Sequence, residues 1–415
     1  MSPVIDPDRL LGDLRELATI GAYKSGVHRP TFSPQDVEAR HWFARRLEEA
    51  GLEAQIDGIG SVFGFSRAAG PSVLTGSHVE SQNYAGWLDG PLGIIYGLEA
   101  ARAFRDDPAC ADLGVDVAAW CDEEGHFGSF LGSRSYLGLL SEEEIDSAKN
   151  RYDGTPLRDA LEKAGFAGRP RVQVEKGRYR GYLEAHIEQG DTLETSGLKI
   201  GVVTAIVAIW QYRLTATGEQ NHAGTTSMKR RRDAGSAIVR LLGAIDRRFP
   251  EIAGPRTVWT CGRITLDPGA PSIIPGRAEA LFQFRDADQA VLDRLHAELQ
   301  RLVAEANQAG PCPIEIDIMS QSTPALMDEG FQAAIEAAAQ ARCPGKALRM
   351  PSGAGHDAQY LARVMPAAML FVPSIGGISH HWTENTSDED IVLGCQVFCD
   401  ALAGILRAQP ADQAS

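Results

Sequence analysis

Histidine and carboxylate residues gather at five places along the chain. These are His78 with Glu80, Asp89 within Trp87-Leu88-Asp89-Gly90, the doublet Glu123-Glu124, His186 with Glu188, and His380-His381 with Glu384. Imidazole and carboxylate together form a donor set for Zn²⁺, Mn²⁺, Co²⁺ or Ni²⁺. A carboxylate such as Asp89 is able to bridge two ions about 3.5–4 Å apart. A doublet such as Glu123-Glu124 is able to put one carboxylate on a metal and leave the other as a base. A lone histidine beside an apolar run is more often a satisfied core or surface residue than a ligand. Four of the five places follow or sit on apolar runs, and that recurrence is harder to assign to packing. Spacing by itself leaves a two-metal site and a set of unrelated structural residues equally open.

If these groups act together, neighbouring strands must deliver them to one edge. Two apolar runs share that design. Val73 to Gly76 ends in Ser77-His78-Val79-Glu80, and Val115 to Trp120 ends in Cys121-Asp122-Glu123-Glu124. Buried strands whose carboxyl ends carry ionisable groups are where open α/β sheets place their sites. A helix predicted over 92–105 supplies the crossover between them. Before them, 36–50 reads as a helix stopped at Gly51, with short strands at 52–57 and 62–65. After about residue 203 the order changes to strand 206–216, helix 231–247, strands 256–266 and 278–285, helix 287–307 and strand 313–318. That βαββαβ order is ferredoxin-like. The earlier style then resumes with helices at 329–342 and 356–364, a strand at 368–372 and a final helix at 387–407. The predicted fold class is therefore α/β: a mixed-sheet domain (1–205 with 320–415) that carries these groups, interrupted by an inserted α+β domain (206–319).

The chain has 415 residues, 44% hydrophobic and 23% charged, an ordinary globular balance consistent with two domains. Its formal net charge of −15 argues against nucleic acid and anionic membrane as partners, since both reward Lys and Arg. The seven cysteines are scattered, odd in number and without a CxxC pair, which reads as reduced thiols in a cytoplasmic protein. The amino terminus has neither a basic n-region nor an apolar h-region, and no long apolar run predicts a membrane span.

Nine short motifs then occur in order: Gly76-Ser77-His78, Leu88-Asp89-Gly90, Glu123-Glu124-Gly125, His186-Ile187-Glu188-Gln189-Gly190, Asn221-His222-Ala223-Gly224-Thr225-Thr226, Arg232-Asp233-Ala234, Ile274-Pro275-Gly276, Gly353-Ala354-Gly355-His356-Asp357-Ala358 and Ser379-His380. With these the chain resembles the allantoate amidohydrolase / N-carbamoyl-L-amino-acid hydrolase family, which includes β-ureidopropionase-like enzymes and lies in the clan of two-metal aminoacylases and carboxypeptidases. The resemblance runs from about residue 73 to the end. It implies two divalent ions (Zn, Mn, Co or Ni) on His78, Asp89, Glu124, His186 and His380, with Asp89 bridging and Glu123 as the base. It implies that His222 binds the oxyanion and reaches the site of the other subunit of a homodimer, with the insert acting as dimerisation and lid domain. It implies substrate contacts at Gln189, Ser272, Arg285 and the Gly355 loop, Arg285 clamping a substrate carboxylate. The substrate it implies is a small carboxylate-bearing molecule with a linear amide or ureido C–N bond, N-carbamoyl amino acid- or allantoate-like.

Some positions depart from the family pattern. Glu80 stands where Asp is usual, in a position expected to orient His78. Pro268-Gly269-Ala270-Pro271-Ser272 replaces Pro-Asn-Ala-x-Asn, so Ser272 lacks the amide that normally contacts substrate. Ser227 replaces a proline, the loop after Gly125 is about two residues short and lacks the family's Arg, and Ser81–Trp87 carries extra aromatic bulk. An intact donor set beside an altered pocket keeps an aminoacylase, dipeptidase or deaminase-like activity open as the alternative. A non-catalytic ligand-binding descendant would be expected to have lost Glu123 or a metal ligand. A hinge is expected near 203–207 and 318–326, with open and closed states.

Overall fold

The strands Ser72–His78, Gly114–Trp120, Tyr179–Ile187 and Ala367–Val372 run parallel to one another and form the centre of a mixed sheet. In this computed structural model, residues 2–408 are described. The sheet continues antiparallel on both sides. Its order is Ala325–Leu326, Ile200–Ile206, Ala367–Val372, Tyr179–Ile187, Ser72–His78, Gly114–Trp120, Val62–Phe65, Glu53–Ile56, with Ala347–Ser352 also paired to Ile200–Ile206. Gly114–Trp120 and Ala367–Val372 are buried at every residue. That is why they read as continuous apolar runs rather than alternating ones.

The crossover helix Pro91–Asp106 is buried from Pro91 to Phe104 and packs on the central strands. Proline at its first turn and Gly90 at its N-cap, with φ 86°, set its start. Helix Pro34–Glu49 is capped by Ser33 Oγ, which accepts the Asp36 N–H at 3.2 Å, and ends before Gly51 at φ +83°. The last helix, Asp388–Arg407, starts from Ser387 with three acidic residues in its first turn.

The chain divides into two units. One runs to Thr204 and resumes at Leu326, and the other is Ala205–Ala325. The second has its own antiparallel sheet in the order Val258–Asp267, Arg277–Asp286, Ala208–Thr217, Ile314–Gln321. Burial alternates along Ala208–Thr217 and Arg277–Asp286. The buried face packs against helices Ala234–Arg248 and Gln289–Ala309 around Tyr212, Leu214, Phe282 and Leu295. The fold class is the expected one, α/β with an inserted ferredoxin-like βαββαβ unit. No described helix is long and apolar enough to cross a membrane.

Some elements differ from expectation. The predicted strand 206–216 is Ala208–Thr217, and it is preceded by a strand that the sequence did not mark, Ile200–Ile206, which belongs to the other sheet. The helix predicted over 356–364 is only Ala358–Leu361. Beyond it Arg363, Val364 and Met365 close tight turns, because Pro366 has no N–H to continue the helix and the next strand starts at Ala367. Strand Tyr179–Ile187 has no clear signature in the sequence, since Glu184 and His186 interrupt its apolar pattern.

Candidate metal centre

The carboxyl ends of the four parallel strands share one edge, and each hands a histidine or carboxylate to it. His78 ends Ser72–His78, and His186 lies one residue before the end of Tyr179–Ile187. Glu123-Glu124 follow Trp120, and His380 lies on the loop after Val372. After each of these strands at least one non-glycine residue takes a left-handed backbone: Tyr84 (φ 56°), Asp122 (φ 56°) and Phe130 (φ 60°), Gln189 (φ 58°) and His380 (φ 55°). Such residues cost about 1–3 kcal/mol each and persist where the surroundings over-determine them.

The donor atoms form two groups that share Asp89. His78, Asp89 and His186 make one; Asp89, Glu124 and His380 make the other; within each group the atoms lie within 4.8 Å of one another. Asp89 Oδ1 is 3.1 Å from His186 Nε2 and 3.6 Å from His78 Nε2, while its Oδ2 is 3.2 Å from His380 Nε2. Glu124 Oε2 is 3.6 Å from His380 Nε2. The imidazole tautomers support ligation. His78 Nδ1 faces the Glu80 carbonyl at 2.9 Å and His186 Nδ1 the Ile187 carbonyl at 3.0 Å, so each Nδ1 carries the proton. Each Nε2 is buried, without a hydrogen-bonding partner, and aimed at Asp89. Burial opposes a charge on these rings, but the surrounding carboxylates outweigh it and raise both imidazoles above their ordinary range, so the position between each Nε2 and Asp89 calls for a cation, a proton or a metal ion. The residues therefore fit a metal.

Glu123 is the carboxylate outside both groups. Its Oε2 is 3.8 Å from His78 Nε2, close enough to share the centre. Burial, reinforced by Glu124, Asp357 and Asp89, holds its carboxyl well above the ordinary carboxylate range despite the pull of His78. Burial raises Glu124 too. Burial works against ionisation of Asp89, but His186, His380 and His78 outweigh it and hold it well below the usual range. Hydrogen bonding to Asp89 pushes His380 up to about 9.

The other residues of the five sequence clusters have different work. Glu80 does not orient His78 with its carboxylate, as expected; its main-chain carbonyl does that. Glu188 caps a short helix through Thr192 N and Leu193 N. Glu384 accepts the N–H groups of Leu88 and Asp89 at 3.2 and 3.0 Å, and Ser379 Oγ lies 2.9 Å from it. Sequence reasoning gave neither Glu384 nor Ser379 this role in holding Asp89. His381 is half-buried and faces Thr383.

Among the expected substrate contacts, Gln189 is beside the centre. Its Nε2 donates to Asp89 Oδ2 at 3.0 Å, leaving Oε1 buried and unpartnered. At Gly355 a Cβ would lie 2.9 Å from the Phe130 ring, so the ring limits that loop to glycine. His222, Ser272 and Arg285 belong to the inserted unit. His222 Nδ1 accepts from Gly224 N and Thr225 N at 3.0 and 3.1 Å, so Nε2 carries the proton and is a donor. Ser272 lies beside it, its carbonyl accepting from Ala223 N at 2.9 Å. Arg285 is not with them. It sits at the other end of strand Arg277–Asp286, eight residues or about 26 Å of extended chain from Arg277. Burial lowers its pKa.

The family model of peptidase family M20/M25/M40 matches residues 71–404. The chain is 33% identical over 393 residues to an allantoate amidohydrolase of Bacillus subtilis (strain 168), covering 93% of this chain and 94% of that protein. It is 32% identical over 405 residues to an N-carbamoyl-L-amino acid amidohydrolase of Geobacillus stearothermophilus, covering 95% and 97%. The crystal structure of an amidase of the hydantoinase/carbamoylase family from Burkholderia phymatum superposes with TM-score 0.92 at 48% identity, covering 98% of this chain and 100% of that one. The chain belongs to the peptidase family M20/M25/M40, among relatives named as allantoate and N-carbamoyl-L-amino-acid amidohydrolases.

Proposed function

We propose that this protein is a two-metal amidohydrolase that cleaves the linear C–N bond of an N-carbamoyl amino acid or allantoate-like substrate bearing a free carboxylate. One observation carries the reading: two donor groups share Asp89, and the raised carboxyl of Glu123 stands beside them without belonging to either. His78 and His186 would hold one ion, Glu124 and His380 the other, with Asp89 between them. The donors are compatible with Zn²⁺, Mn²⁺, Co²⁺ or Ni²⁺. Bound ions of this kind acidify a water molecule and polarise the scissile carbonyl. Glu123 takes the water's proton as its oxygen attacks the carbonyl carbon. It then returns the proton to the departing nitrogen, which leaves as a neutral amine rather than an amide anion. Gln189 Oε1 is an acceptor for a substrate N–H, and Arg285 suits the substrate carboxylate. His222 Nε2–H suits the oxyanion.

We further read the protein as a cytoplasmic homodimer. Seven unpaired cysteines support a reducing compartment. The separation of His222 from Arg285 supports His222 acting on the partner's site. The edge strand Val258–Asp267, with Val258, Ile264 and Leu266 exposed, offers a route to pairing.

The test is product release from N-carbamoyl amino acids, allantoate, N-acyl amino acids and dipeptides by metal-loaded protein, with Glu123→Gln as control. Turnover of carbamoyl compounds or allantoate, lost in the variant, is the expected result. Turnover of acyl compounds or dipeptides alone would move the assignment to an aminoacylase or dipeptidase, with Ser272 as the altered contact. Silence with metals bound would favour a ligand-binding descendant.

A further inference from the structure

Val79-Glu80-Ser81, the three residues after the first histidine of the centre, are clamped by two buried arginines. Arg29 Nε donates to the Val79 carbonyl at 2.9 Å, and Arg29 N donates to Ser81 Oγ at 3.1 Å. Arg40, wholly buried, donates to Asp36 at 2.9 Å, to the Gly60 carbonyl at 2.8 Å and to Glu80 Oε2 at 2.7 Å. The other oxygen of Glu80, Oε1, accepts the main-chain N–H of Glu123 at 2.7 Å. Glu80 is itself fully buried. Its carboxylate thus links a fixed cation to the backbone of the candidate base. A charged acceptor makes a stronger bond to that N–H than a neutral one would.

The residue before Glu123 is held as tightly. Asp122 has a left-handed backbone and accepts the N–H groups of His126, Phe127 and Gly128 and the hydroxyl of Thr31. The peptide joining Asp122 to Glu123 is therefore restrained from both sides, by the loop it opens and by Glu80. An aspartate at position 80 would be shorter by one C–C bond, about 1.5 Å. It could not keep both the Arg40 and the Glu123 contact without a shift of backbone.

We propose that Glu80, backed by Arg40, is a positioning residue for the base Glu123 and not for the metal ligand His78. This rests on the reading of Glu123 as the base. His78 is oriented by the carbonyl of residue 80, which any side chain there leaves in place.

The test compares Glu80→Asp with the wild-type holoenzyme on whichever substrate it turns over, with Arg40→Lys as a second, independent lesion in the same link. We expect kcat to fall about 10- to 100-fold in both, with KM and the affinity for Mn²⁺, measured by chelator competition, unchanged within about threefold. In a Glu123→Gln background, Glu80→Asp should cause no further loss. Hydrogen exchange at the Glu123 amide needs no substrate, and should quicken at least about tenfold in Glu80→Asp. Loss of Mn²⁺ affinity with activity restored by excess metal would overturn the proposal, because Glu80 would then serve His78. So would unchanged exchange and kcat in both variants. If Glu123→Gln itself retains turnover, the base assignment fails instead, and hydrogen exchange alone decides whether Glu80 holds that backbone.

Discussion

Glu123 owes its raised carboxyl first to burial, and that has a direction in pH. A general base acts ionised, so turnover falls as pH drops through the value that the loaded enzyme gives this group. Bound cations would favour the ionised carboxylate, so we expect the acid limb of kcat/KM to lie below the raised value of the metal-free chain. In Glu123→Gln that limb should vanish along with about 10²- to 10⁴-fold of the rate, while metal binding persists. Asp89 and His380 make a second pair of predictions. Asp89 belongs to both donor groups and His380 to one. His380→Ala should therefore bind one ion where the wild type binds two, and Asp89→Ala should hold neither tightly, as read by metal content after dialysis. Ligands that bind only the folded state stabilise it by about 2.7 kcal/mol at a hundredfold excess over Kd. Chelation should accordingly lower the Tm of the wild type and leave that of Asp89→Ala unmoved.

At the scale of elements, the centre depends on tight junctions between the strand ends and the loops and helices that they lead into. Gly90 joins the loop after Ser72–His78 to helix Pro91–Asp106 with φ +86°, and a Cβ there would lie 2.4 Å from His78 Nδ1. Both the backbone and the space require glycine. Gly90→Ala should displace the His78 ring and lower metal affinity at least about tenfold, a larger effect than on the Tm of the apoprotein. Equal loss of both would mean that the turn serves the fold and not the ligand. The spacing of ligands along the chain is legible for the same reason: parallel strands need long crossovers, so donors that meet at one edge are far apart in sequence. Tyr179–Ile187 escapes such a reading because its polar residues are buried. Glu184 is satisfied by Tyr182 on its own strand and by Ser77 and Ala358, which come from other parts of the chain.

At the scale of the whole molecule, the strand that carries Arg285 keeps it far from His222, and the two cannot readily serve one site from a single inserted unit. If His222 acts on the partner's site, a mixture of Glu123→Gln and His222→Ala chains should recover activity that neither has alone. Random pairing gives half the dimers as hybrids with one intact site each, so recovery should approach about one quarter of the wild type. No recovery after demonstrated subunit exchange would sink the shared site. Light scattering should give twice the chain mass, and a charge placed on the edge strand, as in Ile264→Lys, should shift it toward monomer.

The sequence by itself marked the candidate donors and the candidate base. Residue type and order in Gly76-Ser77-His78, Leu88-Asp89-Gly90 and Glu123-Glu124 carry the chemistry, because a donor's identity is a local property. The alternation and apolar runs likewise marked the two sheets. What only the tertiary structure decided is which of several similar groups does which work. Glu80, Glu188 and Glu384 all stand beside ligand histidines in sequence, yet they hold a backbone N–H, a helix start and the Asp89 loop respectively. Arg40, forty residues from Glu80 in sequence, gave no sign of its contact with it. The reason is physical: a side chain's partner is set by which strand ends the sheet brings together, and hydrogen-bond reach of about 3 Å bears no relation to distance along the chain.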